Sequence, residues 1–590
     1  MYKIFFSPLF YFMFAHLALL IVLSCLNIKY LWLETKKIDK KVWIVLFFIF
    51  LFGFYLRNSE YWLGPFSDGY VYQESAHMWI LHGEFVKSCA LGNQMDCRLF
   101  EQVLFLPGFP FIIVLVHLLF GISSLNASII SAVLSSLTVI LVFFSAFLLF
   151  RKSLVAVFSA LVYALIPINI IYSQTGLSRP TALFFLSLVV INYLLALKND
   201  KYVSWLSFVA SLSYLIYIRP EVYTIIPFFL LFIVIFKWEE SRVFFSDLIK
   251  KNKSVYSALA RFIFLCLLFG VLQIPALHWL LFNNPIKGLP GGGFYGLHAG
   301  GIYMVGKALW LQFFNLMPDG TNLYHYLFFV SVSFVLGFLS LIFNKKKEGF
   351  FIVFLFLAYF ITTALFYDGN ISGTGQLTRD YIRRSLMFHV PYSIIAAYGF
   401  YLFFNFVDKS CLLLSRLLYP VIFFGIFLVL VVTLNIRADN LGKMLKEDYN
   451  IAKTFFPASL FKDKRADKTG DRILIYPDTD YWNIVGEIPN DCLVITGTGL
   501  VVTNDYFADN GRKLAQTDLI FDVTASLFIR EIKKNECIYY VENWQCLPPH
   551  DNNLYVCRFL KDYLDKEFLY ERGYYRVYKV KLSEAADDFY

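Results

Sequence analysis

Asp68 is the carboxylate of this sequence whose position best suits proton transfer at a membrane surface. It follows closely on the apolar run 42–58, so we expect it near the level of the lipid headgroups. A carboxylate there can accept the proton of an attacking hydroxyl or amine as a general base. It can equally cap the helix that we expect to begin near Tyr70, and both interpretations stay open.

Arginines at the ends of apolar runs are the second group of candidates. Guanidinium stays charged and can bond a phosphate through two N–H groups, whereas a long side chain can also simply anchor a span at the interface. The arginines concerned are Arg179, Arg219, Arg379, Arg383 and Arg384. Glu221 either pairs with Arg219 or begins its helix favourably.

The composition of the chain indicates a membrane protein. Of the 590 residues, 58% are hydrophobic and 16% are charged, whereas soluble domains average about 45–50% and about 25%. The net charge of +9 does not indicate a nucleic-acid partner, because the basic residues lie in separate loops. These loops serve instead as markers of topology.

Apolar runs long enough to cross a bilayer of about 30 Å recur along most of the chain. The predicted spans are 5–29, 42–58, 127–150, 154–171, 181–197, 203–218, 221–237, 259–282, 323–343, 349–367, 385–406 and 416–435. The run 104–122 begins with prolines and a glycine. If it lies at the outer interface rather than crossing, all strongly basic connections fall on one side, as the positive-inside rule requires. We therefore predict about twelve spans with both termini outside.

The same pattern predicts the division of the chain. Residues 1–41 form an extra N-terminal span and a basic loop, although residues 1–31 also allow a signal peptide without a clear cleavage site. Residues 42–435 form the main membrane domain with a first outer loop at 59–126. Residues 436–590 form a soluble extracytoplasmic α/β domain.

The tail alternates short β-rich runs with helical stretches. We predict strands at 473–477, 492–497, 518–523, 537–542 and 575–582, and helices at 524–535 and 552–564. Six cysteines fall on the predicted outer side, where an oxidising compartment permits disulfides. A bridge between Cys89 and Cys97 is one expectation, and the pairing within the tail stays open.

Several motifs of the membrane domain occur together in order. Asp68, Tyr72, Ala76 and Gly83 match the pattern D-x3-Y-x3-A-x6-G. The Pro-rich run 105–112, the segments 164–173 and 217–221, and the stretch 383–399 follow it. This set resembles the GT-C superfamily of polyprenyl-phosphate-sugar-dependent glycosyltransferases, including protein O-mannosyltransferases and the lipid A aminoarabinose transferase. The resemblance covers most of residues 42–435.

The resemblance, together with the residue chemistry above, suggests roles for particular residues. Asp68 is the expected catalytic base, the five arginines named above the donor-phosphate ligands, and Tyr72, Glu101 and Glu221 further substrate-binding residues. Gly69 stands where many members carry a second acidic residue, and Ser178-Arg179 where many carry an acidic residue in the next outer loop. These departures leave a divalent metal open, and the proposed scheme requires none.

The expected function is transfer of a sugar from a polyprenyl-phosphate donor to a glycan, lipid or protein acceptor at the extracytoplasmic face. A transporter or flippase of a lipid-linked glycan is the alternative, and it predicts charges in mid-span and internal repeats. A scaffold whose tail binds a partner is the third possibility. The sequence selects neither the sugar nor the acceptor.

Overall fold

A computed structural model describes most of the membrane domain and parts of the tail. The described residues are 3–58, 68–86, 88–92, 99–101, 105–123, 126–238, 253–282, 328–344, 346–365, 386–410, 484, 486–496, 513–516, 528–530, 532–542, 560–572 and 575–583. For Asp68 and for the strands of the first outer loop, the description covers the backbone alone.

Apolar helices form the membrane domain, because a helix satisfies every backbone polar group within its own segment where water is absent. The helices are α1 Pro8–Thr35, α2 Lys40–Asn58, α3 Asp68–His82, α4 Gly108–Phe120, α5 Asn126–Phe150, α6 Ser153–Leu165, α7 Pro167–Ser173, α8 Ser178–Asn199, α9 Tyr202–Ile218, α10 Ile226–Phe236, α11 Lys253–Phe282, α12 Phe328–Phe343, α13 Lys347–Leu365 and α14 His389–Ser410. Short 3-10 helices precede α1, α10 and α14, at Lys3–Phe6, Pro220–Ile225 and Leu386–Phe388.

Six helices within the described residues are long and apolar enough to cross a membrane, and five more are shorter apolar helices. The protein is therefore a polytopic membrane protein, and the number of twelve spans stays a prediction. The run 416–435 lies outside the described residues. The prediction of one continuous span over 154–171 is wrong. Helix α6 ends at Leu165, because Ile166 is extended before Pro167 and a residue before proline avoids the helical region.

Helix α4 does not cross the bundle. Its first residue, Gly108, lies against the backbone of Tyr217 near the end of α9. At its other end, His117 contacts both Gln73 of α3 and Asn126 at the start of α5. Helix α4 has 13 residues and is about 20 Å long at 1.5 Å per residue, which is shorter than a hydrocarbon core of about 30 Å. Both of its ends therefore lie at the same end of the bundle.

The opposite end of the bundle collects the basic connections. Arg151, after α5, forms an ion pair with Glu34 near the end of α1. The ammonium of Lys152 donates a hydrogen bond of 2.6 Å to the hydroxyl of Tyr401, and Lys198 lies close enough to Arg151 to interact with it electrostatically. These contacts confirm that the loops after α1, α5 and α8 share one end of the bundle. We call it the basic end, and the end that holds α4 the site end.

A seven-stranded sheet contains every strand that the structure describes. The strands are β1 Ser88–Gly92, β2 Leu99–Glu101, β3 Leu493–Thr496, β4 Lys513–Gln516, β5 Ile538–Glu542, β6 Leu564–Arg572 and β7 Tyr575–Leu582, in the order β2-β1-β4-β3-β5-β7-β6. Strands β4, β3 and β5 are parallel, and the other pairs are antiparallel. Of the predicted α/β domain, the structure thus describes the sheet, and parts of the predicted helices at 524–535 and 552–564 lie outside the described residues.

Three strand predictions in the tail are confirmed to within about a residue, at 492–497, 537–542 and 575–582. Those at 473–477 and 518–523 fall outside the described residues. Strand β6 was not predicted; its side chains are largely exposed and charged, as is typical of a protected edge strand. A disulfide joins Cys492 and Cys537, the residues before β3 and β5.

The first outer loop contributes to this same sheet. Strand β1 pairs with β4 of the tail in antiparallel register, Leu91 opposite Ala515 and Gly92 opposite Leu514. The tail and the loop that follows Asp68 therefore lie on one side of the membrane domain, as the predicted topology requires.

Candidate active site

Asp68 is the first residue of α3, and its backbone lies at the site end of the bundle. The neighbouring Gly69 packs on the turn between α7 and α8, where a Cβ on Gly69 would lie 2.4 Å from the carbonyl oxygen of Thr175. Any larger residue at position 69 would separate α3 from this turn. Glycine beside Asp68 therefore has a local structural reason, although many members of the resembling superfamily carry a second acid there.

Tyr72 fixes α3 against the neighbouring elements from a buried position. Its hydroxyl accepts a hydrogen bond of 3.0 Å from Oγ of Ser178 at the start of α8. Its ring packs edge-on against Phe105 and Phe109, with ring centroids 4.4 and 5.3 Å apart. These contacts give Tyr72 a role in joining α3, α4 and α8, and its predicted role in substrate binding stays a prediction.

Arg179 follows Ser178 and is 6% exposed. It lies close enough to Glu221 to interact electrostatically with that carboxylate. Glu221 itself forms an ion pair with Arg219, whose side chain is 15% exposed against 25% for Glu221. The structure thus brings Arg179, Arg219 and Glu221 into one cluster, in which two guanidinium groups surround one carboxylate.

Helix α13 forms another wall of this cluster. The hydroxyl of Thr362 lies 2.6 Å from that of Thr224, which in turn donates a hydrogen bond of 2.7 Å to the carbonyl oxygen of Glu221. One turn earlier on α13, the buried Tyr359 lies close enough to Arg219 and Glu221 to interact electrostatically with both. Tyr359 is a candidate that the sequence analysis missed.

Arg379, Arg383 and Arg384 lie outside the described residues. The chain continues at Leu386–Phe388, a buried 3-10 turn that contacts α8 and α13. These are the helices that carry Arg179 and Tyr359. The backbone of Glu101 ends β2, where Glu101 pairs with Ser88, so Glu101 belongs to the hairpin of the first outer loop.

Arg57 is a second residue that the sequence analysis missed. It is fully buried at the end of α2 and donates hydrogen bonds to the carbonyl oxygens of Tyr163 and Ala164, both at 2.9 Å. It is an arginine at the site end of a predicted span, and the same signal that identified the other arginines applies to it.

The described residues beside the start of α3 include few ligands for a metal ion. The turn beside Gly69 supplies an amide, hydroxyls and the guanidinium of Arg179, and no group of three or more histidine, cysteine or acidic side chains occurs within the described part of the chain. We therefore derive no step through a metal.

Comparison with known proteins identifies the fold of the chain. No family model and no curated protein sequence matches the chain. The apo structure of the aminoarabinose transferase ArnT from Cupriavidus metallidurans matches with a TM-score of 0.50 at 12% identity, over 91% of this chain and 97% of that chain. The chain has the GT-C fold.

Two other solved structures match at slightly lower TM-scores. ArnT from Cupriavidus metallidurans bound to undecaprenyl phosphate gives 0.48 at 10% identity, over 92% of this chain and 98% of that chain. The apo oligosaccharyltransferase from Archaeoglobus fulgidus gives 0.47 at 13% identity, over 93% of this chain and 75% of that chain.

Proposed function

We propose that this protein is a membrane glycosyltransferase that moves a sugar from a polyprenyl-phosphate donor to an acceptor at the extracytoplasmic face. The observation that carries the proposal is the clustering of Arg179, Arg219 and Glu221 at the site end of a GT-C fold. Asp68 begins the helix that packs on the turn leading to Arg179. Charged groups at the edge of a membrane domain are costly, and they mark function by default.

The arginines suit the phosphate of the donor. In a poorly hydrated site, a guanidinium that bonds phosphate oxygens stabilises the charge that develops on the leaving group. Arg179 and Arg219 lie on different elements, so together they fix a phosphate in position as well as neutralise it. Arg379, Arg383 and Arg384 are proposed to add to this set.

The reaction is a single displacement with inversion. The oxygen or nitrogen of the acceptor attacks the anomeric carbon, and the bond from that carbon to the phosphate oxygen breaks. The bonding pair leaves with the polyprenyl phosphate, and the proton of the acceptor passes to the carboxylate of Asp68. The acceptor is a glycan, a lipid or a protein, and its identity is left to experiment.

Two observations support the extracytoplasmic side. The connections gathered at the basic end carry the lysines and arginines, which the positive-inside rule assigns to the cytoplasm. The tail contains the Cys492–Cys537 disulfide and shares a sheet with the first outer loop, and structural disulfides persist in oxidising compartments.

Transfer from labelled donors tests the proposal. The protein in nanodiscs is supplied with a panel of polyprenyl-phosphate sugars, and release of labelled sugar to water or to an acceptor extract is measured. We expect release from at least one donor, and a fall of about 10²–10⁴-fold in Asp68→Asn, the usual contribution of a general base.

Asp39→Asn is the matched control, because Asp39 is an exposed carboxylate in the loop between α1 and α2 at the basic end. It should keep the wild-type rate. Full activity of folded Asp68→Asn would remove Asp68 from the mechanism. Movement of an intact lipid-linked sugar across the membrane without its release would instead indicate a flippase.

A further inference from the structure

Arg57 is held by backbone oxygens rather than by an acidic side chain. Its Nε donates to Oγ of Ser135 at 3.1 Å, and its Nη1 donates to the carbonyl oxygen of Gly53 at 3.2 Å. Its remaining hydrogen bonds go to the carbonyl oxygens of Tyr163 and Ala164. Among the described residues, no carboxylate forms an ion pair with it. Burial of a charge is costly unless hydrogen bonds satisfy it, and Arg57 has four such bonds.

Two of these hydrogen bonds go to carbonyl oxygens at the end of α6 that have no helical partner. In a continuous helix, the carbonyl of Tyr163 would accept the N–H of residue 167, but residue 167 is a proline and has no N–H. The carbonyl of Ala164 loses its partner because Ile166 is extended, with φ −66° and ψ 113°. Arg57 supplies N–H groups to both oxygens, and its positive charge suits a helix C-terminus.

The break at Ile166 sets the path of the following residues. Helix α7 leads back toward the end of α2. Just after α7, the side-chain amide of Gln174 donates a hydrogen bond of 2.9 Å to the carbonyl oxygen of Leu56. The next residues, Thr175 and Gly176, are those on which Gly69 packs. The turn then leads directly into Ser178 and Arg179. The end of α2 therefore supports the turn 174–177, which packs on Gly69 beside Asp68 and leads into Arg179.

We propose that Arg57 is a positioning residue that holds the α6–α7 break open, so that the turn 174–177 sets the start of α3 against the start of α8. The inference rests on the proposed function for its activity readout. Arg57 is fully buried and acts through α6 rather than on the substrate. A displacement of about 1 Å at the reacting groups is enough to cost about 10²-fold in rate.

Arg57→Met and the double variant Arg57→Met/Pro167→Ala test the proposal. The single variant leaves two buried carbonyls without donors, so its melting temperature falls, and its kcat per folded molecule falls by at least about tenfold. The KM for the donor rises less than kcat falls, because Arg219 lies on another element and keeps its place, whereas Arg179 follows the displaced turn. In the double variant, the backbone N–H restored at position 167 satisfies the oxygen of Tyr163. The melting temperature recovers, whereas kcat stays low because α6 now continues through the break.

A merely structural role predicts a different result. In that case the double variant regains both its melting temperature and its kcat, and this outcome overturns the proposal. Wild-type kcat in folded Arg57→Met overturns it as well. If the single variant does not fold, the double variant alone decides between these outcomes. Arg151→Met is the matched control, since Arg151 is an exposed arginine at the basic end, and its kcat should not change.

Amide hydrogen exchange separates this inference from the proposed function. Exchange at residues 174–179 should accelerate in Arg57→Met and stay at wild-type rates in Arg151→Met, whether or not any sugar is transferred. If the wild-type protein releases sugar from none of the donors, the proposed function fails and the exchange result still decides the position of the turn. Unchanged exchange at 174–179 in Arg57→Met contradicts the inference directly.

Discussion

The ion pair of Arg219 and Glu221 lies where both side chains are mostly shielded from solvent. Glu221 neutralises part of the charge of Arg219, and Arg179 interacts with the same carboxylate. Such a pair holds the guanidinium of Arg219 in a fixed position. If the cluster binds the donor phosphate, as proposed, two cations are already held by one anion, so the entropic cost of ordering them around the phosphate is small.

Substitution of Arg219 should therefore weaken donor binding more than it slows the chemical step. We expect Arg219→Gln to raise the KM for the donor by about tenfold or more, because a hydrogen bond to a charged group contributes about 1.5–3 kcal/mol. Arg219→Lys should recover only part of this loss, since an ammonium cannot reproduce the planar, two-point contact. Initial rates over a range of donor concentrations measure the effect.

Lys237→Gln provides the control. Lys237 forms an ion pair with Asp200, with Nζ and Oδ1 3.0 Å apart, and its side chain is 14% exposed, close to the value for Arg219. This pair belongs to the basic end, so its loss should leave the KM for the donor unchanged. An equal rise of KM in both variants would indicate a general effect of buried charge and not a phosphate site.

Single residues were predictable where their chemistry was unusual for their place in the chain. Arg179 and Arg219 stood out because the positive-inside rule makes arginine rare at the outer ends of spans, and the structure brings them together around Glu221. Tyr359 gave no such signal, because a tyrosine within an apolar run is common and its proximity to Arg219 depends on how α13 packs.

At the scale of the helices, α12 and α14 approach each other more closely than side chains would allow. A Cβ on Gly399 would lie 1.8 Å from the carbonyl oxygen of Ser333, and one on Gly337 would lie 2.1 Å from that of Ile395. Small residues permit such close backbone contact between membrane helices, where packing replaces the hydrophobic effect as a driving force. The contact fixes α14, which follows the segment with the predicted phosphate-binding arginines.

Gly399→Ala should separate these helices and destabilise the membrane domain by about 1–3 kcal/mol, the usual cost of overpacking. The melting temperature of the detergent-solubilised protein measures the loss. Gly270→Ala is the control, because Gly270 lies within α11 and a Cβ there would meet no atom within 4 Å. Its melting temperature should stay or rise slightly, since alanine is the better helix former. A loss as large as that of Gly399→Ala would refute the close-contact explanation.

Helices and strands were predicted correctly where the local sequence pattern alone determines them. Helix α9 and strand β7 were predicted almost to the residue, because an apolar run between charges and a run rich in aromatic and β-branched residues are strong local signals. The break at Ile166 was missed, although Pro167 marks it. The hairpin of β1 and β2 was also missed, since strands of three to five residues depend on partners far along the chain.

At the scale of the whole molecule, the tail and the first outer loop form one sheet rather than two independent parts. The edge of β1 would expose unpaired backbone groups without β4. Pairing with the tail satisfies them, and it couples the tail to the loop that begins with Asp68 and α3. We expect the tail to influence the site through this strand, a link that no local pattern in residues 88–92 or 513–516 predicts.

Cross-linking tests this link in the intact protein. In a background in which Cys89 and Cys97 are replaced by serine, Leu91→Cys and Ala515→Cys should form a disulfide under mild oxidation, because these residues are opposite each other in the register of β1 and β4. Leu91→Cys with Lys579→Cys is the control. Strand β7 is three strands beyond β4, and strands about 4.8 Å apart put the control pair out of reach. A bond in the control pair, or none in the test pair, would contradict the shared sheet. A disulfide confined to the test pair would show that the tail packs directly on the loop that contains Asp68.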